Sequence, residues 1–266
     1  MLIESLEESL VFDRTEFAPQ QFQKMINTIA NRLDAKDFKD VEITDEDVVI
    51  RFGEPSLPSE HNTVHIGGKF LNKASQSRML KGVVPTITTY NDYIDILGDK
   101  FLAKKKSGQK QIGQLDGVRP EDATDYIFQP KVKIVKEFRI VVFYINGRYH
   151  VSGIYEKTGS NASFRSIPLK KGDEIVQMSI AATKALKYGF AGVDLAIVHN
   201  KDALHIQESF MGKLASLAIT DLGSTSDVLD AMEEHIPVIL EVNSFPSMGN
   251  PAIAHDLLQA IQKEAS

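Results

Sequence analysis

Apolar and polar residues alternate over several short segments, which is the period of two that a half-buried strand shows. The strongest signal is a hairpin in which EFRIVVFYI and RYHVSGIYE flank Asn146-Gly147. Asn-Gly favours a type I′ turn because both residues accept positive φ. The other predicted strands are Val48 to Phe52, Phe101 to Lys104, Tyr126 to Gln129, Ser163 to Ile167, Phe190 to Val198 and Pro237 to Val242.

Helical periodicity, with apolar residues three and four positions apart, marks fewer segments. Strands precede and follow these segments without strict alternation, so the fold class we predict is α+β rather than a doubly wound sheet. GEPSLPSEHNT, rich in turn formers, is predicted to be a loop. The predicted helices are Gln20 to Leu33, ASQSRMLKG closed by Gly82, Glu174 to Tyr188, a segment from Ser226, and Ile253 to Ile261.

Composition narrows the class of protein. The 266 residues carry a net charge of -6, which argues against a general nucleic-acid binder because such proteins are usually basic. The chain has no cysteine, which excludes disulfides, thiolate nucleophiles and zinc–thiolate sites. Its N-terminus is acidic, and its apolar runs fall short of the ~20 residues of a membrane helix. We expect a soluble cytoplasmic protein with no membrane contact.

Two predicted strands carry polar residues suited to a metal. Glu241 and Asn243 alternate in VILEVNS and therefore share one face of the strand, while Asp194 interrupts the apolar AGVDLAIV. Carboxylate and amide oxygens are hard ligands, which suit magnesium better than zinc or copper. Two other interpretations stay open: Asp194 could only hydrogen-bond a loop, and Glu241 and Asn243 could simply be solvated.

AGVDLAIV followed by VILEVNSFPSMGN resembles the metal-binding end of the ATP-grasp superfamily, with the branch of ribosomal-protein glutamate ligases and glutathione synthetases as the nearest likeness. The resemblance implies an ATP-grasp fold, two α+β subdomains that grip ATP. It also implies that Asp194, Glu241 and Asn243 hold magnesium, or manganese in its place, between the ATP phosphates.

Further blocks follow in the family's order over roughly 70–260. LNKASQSRMLKGVVPT resembles a phosphate-contacting segment, FLAKKKSGQKQIG the lysine strand and glycine loop over the phosphates, and DYIFQPKV the adenine hinge. KEFRIVVFYING and SNASFRSI resemble the segments that place arginines beside the reacting groups. The cofactor-binding residues implied are Lys73, Lys104, Ser107, Gly108, Gly113, Gln129, Lys131, Val132 and Glu137, and the catalytic ones are Arg139 and Arg165.

The resemblance also implies a division of the chain. Residues 1–80 are expected to form an N-terminal α/β lobe, 81–131 a central lid subdomain, and 132–266 a C-terminal subdomain with an insertion at about 199–235. The chain departs from the family pattern at three positions: Pro130 replaces an acidic hinge residue, Glu137 replaces an Asp, and Ile167 stands where the nearest relatives have Asn.

Alternative phosphate motifs do not fit. Gly108 and Gly113 are spaced as in a P-loop, but Gln114 follows where Lys is required, and no G-x-G-x-x-G is present. Taken alone, Lys104 to Lys106 would be interpreted as a solvated charged surface.

The function expected is an ATP- and magnesium-dependent ligase that joins a carboxylate to an amine through an acyl-phosphate. The amine is a small molecule, a peptide or a protein terminus. A non-catalytic ATP-binding module and a kinase that stops at phosphoryl transfer are the alternatives, and a homo-oligomer stays open.

Overall fold

The computed structural model describes residues 2–4, 36–37, 48–52, 62–66, 71–90, 101–106, 114–116, 123–158, 163–167, 174–199, 206–207, 235–244 and 251–265. They form a strand-rich α+β fold, which confirms the predicted class. The chain divides into two compact units. The first unit comprises Met1–Phe70, Arg139–Val193 and Val242–Ser266, and the second comprises Leu71–Phe138 and Asp194–Glu241. The three-part division predicted from the sequence stays a prediction.

The strands of the described residues are numbered in chain order. They are β1 (Leu2–Glu4), β2 (Lys36–Asp37), β3 (Val48–Phe52), β4 (Asn62–Ile66), β5 (Thr86–Ile87), β6 (Phe101–Lys105), β7 (Gln114–Asp116), β8 (Tyr126–Pro130), β9 (Ile134–Ile145), β10 (Arg148–Thr158), β11 (Ser163–Ile167), β12 (Phe190–His199), β13 (Ile206–Gln207) and β14 (His235–Asn243). The helices are α1 (Lys73–Leu80), α2 (Glu174–Ala185) and α3 (Pro251–Ala265), with a 3₁₀ turn at Ala123–Asp125.

The N-terminal strands form a four-stranded sheet of order β2-β1-β3-β4 in which all pairs are parallel. The strand predicted at Val48–Phe52 is confirmed. The loop predicted up to Thr63 is wrong at its end, because β4 already begins at Asn62 and pairs with Val48. The helix predicted at Gln20 to Leu33 lies outside the described residues.

A seven-stranded sheet has the order β11-β10-β9-β12-β14-β5-β13. The predicted hairpin β9–β10 is confirmed, and its turn residues Asn146 and Gly147 have φ of 50° and 77°, the positive values that a type I′ turn requires. The strand predicted at Ser163 to Ile167 is confirmed as β11, which pairs antiparallel with β10. The sequence did not predict β13, a two-residue edge strand from the 199–235 stretch that pairs with β5.

Helix α3 is tied to the hairpin by side-chain hydrogen bonds. Tyr155, buried in β10, donates to Asp256 Oδ2 over 2.7 Å. Asn146 Nδ2 donates to the Glu264 carbonyl over 3.1 Å, and His150 Nδ1 lies 3.3 Å from Glu264 Oε2. These contacts fix α3 against strand β10 and the turn of the hairpin.

Helix α2 ends three residues earlier than its predicted end at Tyr188. Lys187 adopts φ of 55°, a left-handed value that cannot continue a helix, and Tyr188 N–H turns back to the Thr183 carbonyl over 3.1 Å. The buried hydroxyl of Thr183 donates to the Ser179 carbonyl over 2.8 Å, so this polar group is satisfied inside the core.

The second unit contains a three-stranded antiparallel sheet, β7-β6-β8. Its buried face packs Phe101 and Ala103 of β6 against Phe128 of β8, with the Phe101 and Phe128 rings meeting edge to face at 5.9 Å. Because side chains alternate along a strand, Leu102 and Lys104 are directed to the opposite face. No described helix is long and apolar enough to cross a membrane.

Candidate functional site

An open cavity lies within the second unit. Its walls come from α1, β5 and the residues after it, β6, β8 and β14. The lining residues are Lys73, Gln76, Ser77, Leu80, Thr86, Ile87, Thr89, Lys104, Ile127, Gln129, Ile239, Leu240 and Glu241. The cavity therefore combines apolar walls with two cations, one carboxylate and several uncharged polar groups.

Helix α1 presents one face to this cavity. Lys73, Gln76, Ser77 and Leu80 are spaced at i, i+3, i+4 and i+7, which places them along a single stripe of a helix. Asn72 caps the helix, its side chain accepting from the Ser75 N–H over 2.9 Å. The predicted closure by Gly82 is confirmed, since this glycine has φ of 79°.

The start of α1 is fixed to the end of β6. Lys73 N–H donates to the Lys106 carbonyl over 3.0 Å, and Lys106 N–H donates to the Asp125 carbonyl over 2.8 Å. Lys104 lies two residues before Lys106 on β6 and lines the same cavity. The backbone therefore holds the segments of the two predicted phosphate-binding lysines together, although the lysines are 31 positions apart along the chain.

Strand β8 lies antiparallel to β6, with Ile127 opposite Lys104 and Gln129 opposite Leu102. Ile127 and Gln129, two residues apart, both line the cavity. Residues 131–133, between β8 and β9, have no regular secondary structure. The backbone groups of Lys131 and Val132, which the resemblance assigns to nucleotide binding, therefore belong to a non-helical connection directly after the cavity strand.

Lys73 and Glu241 bring opposite charges to one wall of the cavity. Lys73 Nζ lies 3.9 Å from Glu241 Oε1, and their side chains are only 15% and 20% exposed. Strand β14 reaches this position because Ile239 pairs with Thr86 of β5, and its N–H donates to the Pro85 carbonyl over 2.9 Å. A long ion pair of this kind, in a cavity that also contains Lys104, is suited to an anionic ligand accompanied by a cation.

Two buried oxygens of the cavity wall have no hydrogen-bond partner among the described residues: Thr86 Oγ1 and Gln129 Oε1. Gln129 is 7% exposed and Thr86 5%. Leaving a buried acceptor unsatisfied costs about 1–3 kcal/mol. Both residues line the cavity, so their unsatisfied oxygens lie in its wall.

The predicted metal ligands lie on adjacent strands. Asp194 belongs to β12 and is 3% exposed, and Glu241 and Asn243 are alternate residues of β14, the next strand of the sheet. Glu241 lines the cavity, whereas Asp194 and Asn243 are not among its lining residues. Over the described ranges, no three His, Cys, Asp or Glu side chains are grouped as a metal site. The assigned set contains two carboxylates and an amide, so its chemistry suits magnesium, and its assembly around one ion stays a prediction.

The two predicted arginines belong to the first unit. Arg165 of β11 lies directly opposite Glu156 of β10, and its guanidinium forms an ion pair with that carboxylate while remaining largely exposed. Arg139 is a half-buried residue of β9. Glu137, also half-buried on β9, belongs to the second unit. The catalytic and binding roles of these three residues stay predictions.

The glycine loop of the prediction, with Ser107, Gly108 and Gly113, lies outside the described residues. So do the helix predicted from Ser226 and most of the 199–235 stretch. Sequence reasoning missed four polar residues that line the cavity: Gln76, Ser77, Thr86 and Thr89. Gln76 and Ser77 could have been found from their helical spacing to Lys73, but nothing in the sequence marks Thr86 or Thr89.

Comparisons with known proteins give similarity only at the level of structure. No protein-family model matches the chain, and no curated protein matches it. It is similar to the D-alanine–D-alanine ligase of Coxiella burnetii, with TM-score 0.47 and 15% identity over 76% of this chain and 61% of that one. It is also similar to the L-amino acid ligase of Bacillus licheniformis, with TM-score 0.40 and 16% identity over 71% of this chain and 43% of that one.

A further similar structure is the ATP-grasp ligase PsnB, complexed with a minimal precursor, Mg and ADP, with TM-score 0.49 and 11% identity. That match covers 99% of this chain and 97% of PsnB. By contrast, the chain spans about three fifths of the length of the Coxiella enzyme.

Proposed function

We propose that the protein has the ATP-grasp fold and is an ATP- and magnesium-dependent ligase that joins a carboxylate to an amine. One observation carries this proposal. Lys73, Lys104, Gln129 and Glu241 were each assigned to ATP or its metal from a different block of sequence, and all four line one cavity. Such convergence is expected if the blocks serve a common ligand.

The chemistry of the cavity supports a nucleoside triphosphate. Phosphoryl transfer depends chiefly on positioning and on neutralising charge at the phosphates. Lys73 and Lys104 supply positive charge, and the apolar side chains of Ile87, Ile127 and Ile239 offer a dry surface for a planar base. Asp194, Glu241 and Asn243 would hold magnesium, which would neutralise phosphate charge when bound.

The reaction we propose has two steps. A carboxylate oxygen of the substrate attacks the γ-phosphorus of ATP, so that a new P–O bond forms and ADP leaves. An amine then attacks the acyl carbon, phosphate leaves, and the amine loses a proton as the C–N bond forms. The resemblance places Arg165 beside the acyl-phosphate, and Arg139 supplies further positive charge. Water must be kept from the intermediate, because hydrolysis would waste it.

The first test measures binding and turnover separately. ATP affinity is measured by titration calorimetry, and ADP release is then measured with magnesium over a panel of carboxylates, each with and without amines. Amide formation coupled to ADP release supports the ligase. ADP release with a phosphorylated product and no amide would identify the kinase alternative, and binding without turnover over a broad panel would favour the non-catalytic module.

The second test concerns the metal ligands. Glu241→Gln and Asp194→Asn keep the size of each side chain and remove its charge, so we expect magnesium-dependent turnover to be lost while the thermal unfolding midpoint changes little. Glu264→Gln on α3 serves as the matched control. Glu264 and its contact His150 both belong to the first unit, whereas Asp194 and Glu241 belong to the second. Full activity of either site variant would remove that residue from the metal site.

A further inference from the structure

Gln129 and Thr89 form a short hydrogen-bond relay at the cavity wall. Gln129 Nε2 donates to Thr89 Oγ1 over 2.9 Å, and Thr89 Oγ1 donates to the Ile87 carbonyl over 3.2 Å. Thr89 and Gln129 both line the cavity, and they come from segments 40 positions apart. The remaining polar atom of the amide, Gln129 Oε1, is buried and has no hydrogen-bond partner among the described residues.

The relay determines which end of the Gln129 amide contacts Thr89 and which end is left without a partner among the described residues. A backbone carbonyl only accepts, so the single hydroxyl proton of Thr89 is committed to Ile87. The Thr89 oxygen can then only accept, and it therefore requires the NH₂ end of the Gln129 amide. Reversing the amide would set two acceptor oxygens against each other. Gln129 is thus held with its carbonyl oxygen as the acceptor that has no partner among the described residues.

An uncharged acceptor in this position selects for a donor. It cannot attract a phosphate, whose oxygens are themselves acceptors, and the cavity has other residues, Lys73 and Lys104, that carry the positive charge a phosphate requires. Two parts of a nucleotide carry suitable donors: the exocyclic amine of adenine and the hydroxyls of ribose. The apolar residues Ile87 and Ile127 beside the relay favour the planar base.

We propose that Thr89 is a positioning residue that sets the nucleobase selectivity of the cavity, by holding Gln129 as an acceptor for the exocyclic amine of adenine. This inference rests on the proposed function as an ATP-binding enzyme and adds a determinant that the sequence blocks did not identify. A base with an oxo group at the same position, as in inosine or guanine, presents an acceptor to an acceptor and is disfavoured.

The test compares equilibrium dissociation constants for ATP and inosine triphosphate. These two nucleotides share ribose and phosphates and differ only at the 6-position and the adjacent ring nitrogen. We expect the wild-type protein to prefer ATP by about 10- to 100-fold, the range expected when one buried polar group is left facing an unsuitable partner. A ribose contact would instead give equal affinities.

Three variants assign this preference to the relay. Thr89→Ser keeps the hydroxyl and should retain the preference to within about threefold, whereas the isosteric Thr89→Val frees the amide to turn and should reduce it about tenfold. Gln129→Leu should remove the preference. Because Thr89 acts through Gln129, adding Thr89→Val to Gln129→Leu should leave the ATP-to-inosine triphosphate ratio unchanged. Unfolding midpoints of all variants are measured in parallel, and Thr89→Ser serves as the rescue.

The outcomes separate this inference from the function on which it rests. Equal wild-type affinities for the two nucleotides overturn the inference and leave ATP binding intact. Failure to bind either nucleotide overturns both. If Thr89→Val weakens both nucleotides in equal proportion, or still lowers the ratio when Gln129 is Leu, Thr89 does not position the amide and the inference is wrong.

Discussion

Gly153 of β10 lies where the side chain of Tyr155 folds back over the strand. A Cβ added at Gly153 would lie 2.6 Å from Tyr155 Cζ and 2.9 Å from Cε2, closer than carbon atoms approach without repulsion. The backbone of Gly153 lies outside the left-handed region, so alanine is acceptable to the main chain itself. Gly153→Ala therefore tests the packing of one aromatic ring.

The expected loss in the free energy of unfolding follows from the contacts that hold the Tyr155 ring. Tyr155 is 1% exposed, and its hydroxyl donates to Asp256 Oδ2 over 2.7 Å. To restore ordinary contact with the new methyl group, the ring must move by roughly 1 Å, which stretches that hydrogen bond beyond its useful range. Overpacking costs about 1–3 kcal/mol, and a hydrogen bond to a charged group contributes about 1.5–3 kcal/mol. We expect a loss of about 3–5 kcal/mol in the free energy of unfolding.

The assay is equilibrium urea unfolding followed by circular dichroism, because the chain has no tryptophan to report by fluorescence. Two backgrounds separate the contributions. Tyr155→Phe alone removes the hydrogen bond and should cost about 1.5–3 kcal/mol. In a Tyr155→Leu background the clash is absent, so Gly153→Ala should cost less than about 1 kcal/mol.

Equal costs of Gly153→Ala in the wild-type and Tyr155→Leu backgrounds would refute this reasoning, because they would show that the Tyr155 ring is not what the methyl group meets. A cost below about 1 kcal/mol in the wild type would likewise show that the ring and α3 relax without loss.

Three further predictions concern the cavity and the hairpin. Lys104→Ala should weaken ATP binding at least about tenfold. Lys105 is the exposed neighbour outside the cavity lining, so Lys105→Ala should change ATP affinity less than about twofold. Equal dissociation constants of the two variants in titration calorimetry would remove Lys104 from the site. Asn72→Ala removes the cap of α1 and should lower the free energy of unfolding by about 1 kcal/mol, with Asn72→Ser restoring it; unchanged urea midpoints would show that the cap is dispensable. Burial, and then the neighbouring Tyr144, raise the pKa of Tyr149 to about 12. The contribution of Tyr149 to stability is therefore complete below pH 10 and is lost as the pH rises towards 12. Tyr149→Phe should flatten this alkaline decline in the free energy of unfolding, and an unchanged slope of that free energy against pH would contradict the assignment.

Local patterns in the sequence predicted most of the described secondary structure. The hairpin at Asn146-Gly147 was predictable because a two-residue turn with positive φ is a property of those two residues and their flanking strands. Strand β13 was not predictable, since a two-residue edge strand is stabilised by its partner β5 and has no period of its own.

The candidate site divides in the same way. Glu241 was recognisable because a charged residue inside an apolar strand is unusual in itself. Thr86 and Thr89 were not, because threonine in an apolar segment is ordinary until its neighbours in space are known. Only the relay through Ile87 and Gln129 makes Thr89 chemically distinctive.

By itself, the sequence of this protein determined where the longer strands and the helices α1 to α3 form and which residues carry unusual charge, since periodicity, turn chemistry and helix capping act over a few neighbouring positions. The tertiary structure alone decided that Lys73, Lys104, Gln129 and Glu241 line one cavity, and that the buried Gln129 amide has an oxygen with no hydrogen-bond partner among the described residues. The physical reason is that backbone hydrogen bonds join segments that are far apart along the chain: α1 to the residue after β6, and β14 to β5 and the residue before it.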